Sequence, residues 1–262
     1  MKYILSASIP FIFVSCKPES LMSIGITGIV GLFILMFILF AFMFYLIAKR
    51  KKQGERSLVR FNNDVYIALN KLSTPQQKIS MLETLIERIN SDEKYKKDTE
   101  WRDKVLVKTY MHLSIIYYQM GDEMQTLNTC SKIIELDPKD GMAHYNRGSI
   151  YSNMGLYDKA LVDLNQTIDL LPDYASAYNN RGLVHEKMEH YDKALADFSE
   201  AIKLENSPIS YYNRGNTHYE IGKYSDALAD YRSALENIDT TNDDNFEKEL
   251  QISIKATEER IK

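Results

Sequence analysis

Cysteine is scarce in this sequence: Cys16 and Cys130 are the only two. A pair so far apart cannot supply a disulfide framework or a zinc site, so neither is expected to hold the chain together. A bias of charge is missing as well. Thirty-two lysines and arginines stand against 36 aspartates and glutamates, for a net charge of -4, which offers no basis for binding nucleic acid. No glycine-rich phosphate loop, no metal-spaced Cys/His cluster and no nucleophile elbow occurs. The expectation is a protein that is not an enzyme and that uses no cofactor or metal.

What the chain does have is one phrase written three times between residues 140 and 241. It reads Tyr145-Asn146-Arg147-Gly148, Asn179-Asn180-Arg181-Gly182 and Tyr212-Asn213-Arg214-Gly215. Each copy is followed by a second block with Tyr157 to Leu161, Tyr191 to Phe198 or Tyr224 to Tyr231. The three glycines stand 34 and 33 residues apart. A period in the thirties marks a repeat array and is weighed before any other fold argument. Tyr145, Gly148 and Tyr151 share one helical face, as do Ala160, Leu164 and Ile168. Gly155 breaks the chain between the two sets and Pro172 closes the unit. One unit is therefore a helical hairpin. A glycine in mid-helix costs roughly 1 kcal/mol against alanine, so Gly148, Gly182 and Gly215 imply close approach of the partner helix, with Ala160, Ala194 and Ala227 as its small residues.

These residues resemble the tetratricopeptide repeat family. The family's places are held by Gly148, Tyr151, Gly155, Tyr157, Ala160 and Pro172, then by Gly182, Tyr191, Ala194, Phe198 and Ala201, then by Gly215, Gly222, Tyr224, Ala227, Tyr231 and Ala234. The departures are Arg147, Arg181 and Arg214 for leucine, His185 and His218 for tyrosine, and Glu189 for the turn glycine. A further repeat is readable upstream, where Tyr117, Gly121 and Pro138 precede Tyr151, Gly155 and Pro172 by one period and Ser114 stands for the helix glycine. Cys130 falls on the core side of this unit and reads as a buried structural thiol.

The N-terminal part is of a different kind. Residues 1–15 carry one lysine, Lys2, ahead of an apolar run, and Phe13-Val14-Ser15-Cys16 is similar to a bacterial lipoprotein box. Two readings stand: a cleaved signal with Cys16 lipidated, or a short first membrane segment with an unmodified cysteine. Residues 21–48 have no charged side chain. About 20 apolar residues cross a bilayer, so this stretch predicts a transmembrane helix. Lys49-Arg50-Lys51-Lys52 then holds the downstream residues in the cytoplasm by the positive-inside rule. Ser23, Thr27 and Gly31 share a face through which that helix can self-associate.

The expected fold is all-α: an N-terminal transmembrane helix, then an α-solenoid of hairpins with a C-terminal capping helix. The boundaries are a signal-like segment over 1–20, the spanning helix over 21–48, a basic linker over 49–56 and a divergent hairpin over 57–98. Repeats follow over 99–139, 140–173, 174–207 and 208–241, with a cap over 242–262 whose apolar stripe is Phe246, Leu250, Ile254 and Ile261.

With no catalytic constellation, the site must be a surface. The resemblance implies a concave groove lined by the first helices, binding an unidentified protein or peptide. It turns Asn146, Asn180 and Asn213 towards that groove, with Tyr145, Ser149, Asn179, Tyr212 and Asn216 in the same wall. Asparagine offers a donor and an acceptor to a ligand backbone; the other reading is hydrogen bonding between neighbouring helices. Met142, Ser176 and Ile209 stand where a lysine and arginine clamp for acidic chaperone tails would need cations, which disfavours that ligand. Arg147, Arg181 and Arg214 read either as exposed partners of Asp163, Asp197 and Asp230, which would add little, or as readers of phosphate or carboxylate. His185 and His218 read as substitutes for a packed tyrosine, or as neighbours able to share a metal. The functional expectation is a scaffold at the bacterial inner membrane. The alternatives are a regulatory subunit of an envelope-assembly or proteolysis system, and an exported lipoprotein with its repeats outside the cytoplasm.

Overall fold

The computed structural model describes residues 38–49, 64–65, 71–92, 98–238 and 244–262. Every regular element among them is an α-helix. The chain divides into two units, Met1–Asn63 and Asp64–Lys262. In the first, residues 38–49 are helical and their apolar side chains, Phe40, Phe42, Phe44 and Ile47 among them, are exposed. The rest of the expected spanning helix, the signal-like segment with Cys16, and the Ser23, Thr27 and Gly31 face lie outside the described residues. Among the described residues no helix is long and apolar enough to cross a membrane.

The second unit contains α1 (Pro75–Ser91), α2 (Thr99–Gln119), α3 (Glu123–Leu136), α4 (Gly141–Asn153), α5 (Tyr157–Leu170), α6 (Ala175–Lys187), α7 (Tyr191–Leu204), α8 (Pro208–Glu220), α9 (Tyr224–Glu236) and α10 (Asp244–Ile261). Local chemistry sets several of the starts. The Thr74 hydroxyl accepts from the Gln77 N–H while the Gln77 side chain accepts from the Thr74 N–H, with Pro75 in the first turn. Asp98, Asp122 and Asp140 accept from backbone N–H groups at the starts of α2, α3 and α4.

Helices α2 to α9 pair as four hairpins, α2 with α3 through α8 with α9, and each hairpin stacks on the next. All four turns use the same stop signal, in which a left-handed residue lets two N–H groups reach back into the last turn. In the second hairpin Gly155 N–H donates to Ser152 O at 3.0 Å and Leu156 N–H to Tyr151 O at 2.8 Å. Gly121, Gly155 and Gly222 supply the positive φ; in the third hairpin Glu189 does, at φ 60°.

Packing within each hairpin is a trade of volume between two positions 16 residues apart. Ser114 faces Cys130, Gly148 faces Leu164, Gly182 faces Phe198 and Gly215 faces Tyr231. The serine hydroxyl lies 3.8 Å from the Cys130 sulfur, which is fully buried; burial raises that thiol's pKa. A methyl group on Gly148 would lie 3.1 Å from Leu164 Cγ, and one on Gly182 only 2.7 Å from Phe198 Cε1. The expected close approach is therefore real, and it tightens as the partner grows. Ala160, Ala194 and Ala227 are fully buried beside these contacts. Full burial of a side chain such as Leu164 or Phe198 contributes about 1.5–3 kcal/mol.

Both ends of the stack are covered. At the front α1 buries Leu82, Leu85, Ile86 and Ile89 and packs on α2. There the Tyr117 hydroxyl donates to Glu83 at 3.1 Å, and burial, with the Glu83 charge beside it, pushes the phenol up to about 12. The first helix expected to pair with α1, over residues 57–72, lies mostly outside the described residues. At the back α10 packs on α9. Leu250 is fully buried, with Phe246 and Ile254 partly so. Ile261, expected in that stripe, is exposed, and Thr257 is the buried residue of the last turns. Its hydroxyl can be buried because it donates to Ser253 O within the helix.

Candidate functional site

The first helices of successive hairpins touch one another directly, α4 against α6 and α6 against α8. They form one continuous wall, and a row of hydrogen bonds runs along it. Asn180 Nδ2 donates to the Tyr145 hydroxyl at 3.1 Å and to Ser149 Oγ at 2.9 Å. Asn213 Nδ2 donates to Asn179 Oδ1 at 3.0 Å. Tyr212 donates to Glu249 of α10 at 2.7 Å and packs edge-on against Phe246, while Asn216 Oδ1 accepts from the Tyr231 hydroxyl at 2.8 Å. All eight residues expected in the wall are half-buried. Of the recurring column Asn146, Asn180 and Asn213, the last two thus bond neighbouring helices, as the alternative reading had it.

Asn146 differs, and the reason lies on α2. Asn180 and Asn213 find acceptors on the preceding first helix, one or two turns apart: Tyr145 and Ser149 for the former, Asn179 for the latter. One period before Tyr145 and Ser149 stand Met111 and Ile115, which offer an amide no oxygen acceptor and at most a weak thioether sulfur. Asn146 makes no side-chain hydrogen bond within the described structure. Met111, Ile115 and Tyr118 are exposed at 39%, 50% and 68%, and Met142 of α4 is exposed too. At the equivalent positions of α2 the paired amides are thus replaced by exposed apolar side chains. These apolar positions are absent from the sequence-based site, although subtracting one period from Tyr145, Ser149 and Ser152 yields them.

A second row lies one residue further round the first helices and is structural. Arg147 donates from Nε to Asp163 Oδ2 at 2.7 Å and from Nη2 to Oδ1 at 2.8 Å, while Nη1 reaches Ser131 of the preceding hairpin at 3.3 Å. Arg181 repeats this with Asp197 and Asn165, and Arg214 with Asp230 and Ser199. Tyr178 and Tyr211 lie under the guanidinium groups of Arg181 and Arg214. In the second hairpin His144 takes the tyrosine's place and sits with Nδ1 2.9 Å from Asp163.

This corrects the sequence reading twice. The pairs are not exposed, since the aspartates are buried, and each guanidinium spends three of its five N–H donors within the protein, so the row first serves the stack. His185 and His218 do not face each other either. His185 Nε2 lies 4.0 Å from Asp197 and its ring 5.9 Å from that of His190, while His218 Nε2 lies 3.8 Å from Asp230. Burial lowers the pKa of both, and the neighbouring aspartates oppose the shift. Among the described residues no group of three or more His, Cys, Asp or Glu is placed to hold a metal ion.

Against known families, the tetratricopeptide repeat profile matches residues 142–174, 175–207 and 208–237. Residues 142–237 are tetratricopeptide repeats. The chain is similar in fold to a double mutant of MamA from strain RS-1, over 70% of this chain and 96% of that one, with TM-score 0.57 at 19% identity. A MamA structure from strain MSR-1 aligns over 69% and 95% with TM-score 0.52 at 18% identity. A thermophilic tetratricopeptide repeat protein of Thermus thermophilus aligns over 75% and 98% with TM-score 0.50 at 19% identity. At these identities the likeness is one of fold. Comparison with curated proteins gives no match.

Proposed function

We propose that this repeat protein is a scaffold without catalytic activity that binds an uncharged peptide segment across α2 and α4. The observation that carries the reading is the unpaired amide of Asn146 together with exposed Met111, Ile115 and Tyr118 at the equivalent positions of the preceding first helix. An amide pairs with a peptide group through one donor and one acceptor, and a methionine-containing apolar surface adapts to a large aliphatic or aromatic side chain. Farther along the wall the amides are already bonded within the protein, so Tyr145, Ser149, Asn179, Asn180, Tyr212, Asn213 and Asn216 shape the groove and Asn146 does the pairing.

Selection from a random peptide display library on the full chain tests this. Uncharged peptides with one large apolar residue are expected, with binding weakened about 2- to 10-fold by Asn146→Ala, as for a net loss of one hydrogen bond. Ile115→Glu is expected to abolish it. Selection of acidic peptides, or binding indifferent to both variants, would overturn the reading.

The scaffold is placed by the same proposal at a bacterial inner membrane, anchored through residues 21–48 with the repeats cytoplasmic. The uncharged run, the Lys49-Arg50-Lys51-Lys52 cluster and the exposed apolar helix at 38–49 support this. Protease added to spheroplasts should leave the repeats intact; their digestion would favour the exported lipoprotein form with Cys16 modified.

A further inference from the structure

We propose that His185 and His218 form an acid-sensitive latch in the last two hairpins, each loosening its own hairpin when its imidazole takes up a proton. Both hold the same two-sided position. The backbone carbonyl of each is the one the turn N–H reaches back to, His190 N–H to His185 O and Lys223 N–H to His218 O, both at 2.8 Å. The side chain of each lies against the aspartate that its own hairpin's arginine holds. Each imidazole is thus wedged where the two helices of the hairpin meet.

The wedge suits a neutral ring and not a cation. Nδ1 of His185 and Nδ1 of His218 are buried without a hydrogen-bond partner. Protonation makes both ring nitrogens donors, so a buried N–H would then have no acceptor. The facing carboxylates offer little, because Arg181 holds both oxygens of Asp197 and Arg214 both oxygens of Asp230.

The other charges around His185 are Arg181 on its own helix, Lys193 on α7 and His190 in the turn, all opposing a second cation. Glu186 beside it is turned to Thr217 of α8 at 2.7 Å. Around His218 stand Arg214 on its own helix, Asp226 on α9 and Lys223 in the turn, and α10 brings Arg260 to the neighbouring Tyr219. Asp226 and the end of the helix favour the cation; the two basic residues and the loss of water do not. The sign follows: with folded-state values below the free value of 6.5, stability is full above that pH and falls below it, as the opened chain gains protons that the closed hairpins refuse.

Amide hydrogen exchange of the full chain, corrected for the intrinsic effect of pH, tests the latch without any ligand and so stands apart from the groove reading. Between about pH 7.5 and about pH 5.5, opening of α6 to α9 should accelerate by up to about tenfold per histidine for each pH unit below the free value. Helix α5, which carries no histidine, serves as the internal reference. The variant H185Y/H218Y restores the tyrosine that Tyr151 supplies at this position in the second hairpin and should lose the acceleration. Equal acceleration in variant and wild type, or equal acceleration throughout the stack, overturns the proposal. Should the variant fail to fold, NMR titration of the wild-type imidazoles decides: midpoints below 6.5 for both rings support the latch, and midpoints at or above it sink it.

Discussion

Glu189 is the residue at which this chain departs most plainly from its own rule. Three hairpins turn on glycine and the third turns on Glu189 at φ 60°, where a β-carbon crowds the following carbonyl. A left-handed conformation costs an ordinary residue about 1–2 kcal/mol, and no Cβ on the three glycines would meet another group within 4 Å. Glu189→Gly is therefore expected to stabilise the protein by up to about 1 kcal/mol, after the extra freedom glycine adds to the unfolded chain. A denaturant midpoint that does not rise would contradict this. Gly182 behaves in the opposite sense. Fully buried Phe198 cannot move away from an added methyl group 2.7 Å from its ring, so Gly182→Ala should destabilise by about 1–3 kcal/mol despite its better helix propensity. Gly148→Ala, facing Leu164 at 3.1 Å, should cost less, and calorimetry of the two variants gives the order.

At the scale of the helix pair, what matters is which interactions a sequence can declare. The hairpins were legible because period, glycine and alanine positions and turn signals all follow from local chain geometry. The arginine and aspartate partners were legible as pairs for the same reason, being 16 residues apart in every copy. Their burial was not legible, since it depends on the neighbouring hairpin and on a tyrosine or His144 lying alongside. That burial changes the energetics. Removing one member strands a poorly hydrated charge, which costs about 3–5 kcal/mol in buried pairs, where an exposed pair would contribute under about 1 kcal/mol. Asp197→Ala, which leaves Arg181 with 21% of its side chain exposed, should fall near the lower end of that range, measured by equilibrium unfolding. A loss within about 0.5 kcal/mol would mean that Arg181 finds water easily.

For the whole molecule the periodic and the aperiodic parts carry different meanings. The four-hairpin stack is periodic, and the sequence announced it. The expected site was drawn by the same periodicity, which is why it took in eight residues from three repeating positions when seven of them bond within the protein. The open position at Asn146 arises where the period fails, at Met111 and Ile115, and periodic reasoning passes over such a place. The cap is aperiodic too. Deleting α10 would uncover Ala227, Tyr231 and Ala234; the shortened chain is expected to lose stability and self-associate, visible by light scattering. Leu250→Ala should already cost about 2–5 kcal/mol. A shortened chain that stays monomeric with an unchanged melting temperature would show the stack to be closed without its cap.

The arginine row has one more consequence, for heredity. The second and third hairpins each carry their own aspartate, the arginine that grips it, and an asparagine or serine offered to the next unit, Asn165 and Ser199. A gene copy in which unequal crossing-over had duplicated or lost one such unit would still encode every bond of the row. The gap at Asn146 would not be duplicated with it, because it belongs to the junction with α2 alone. Lineages could thus lengthen or shorten this array freely while keeping one ligand position.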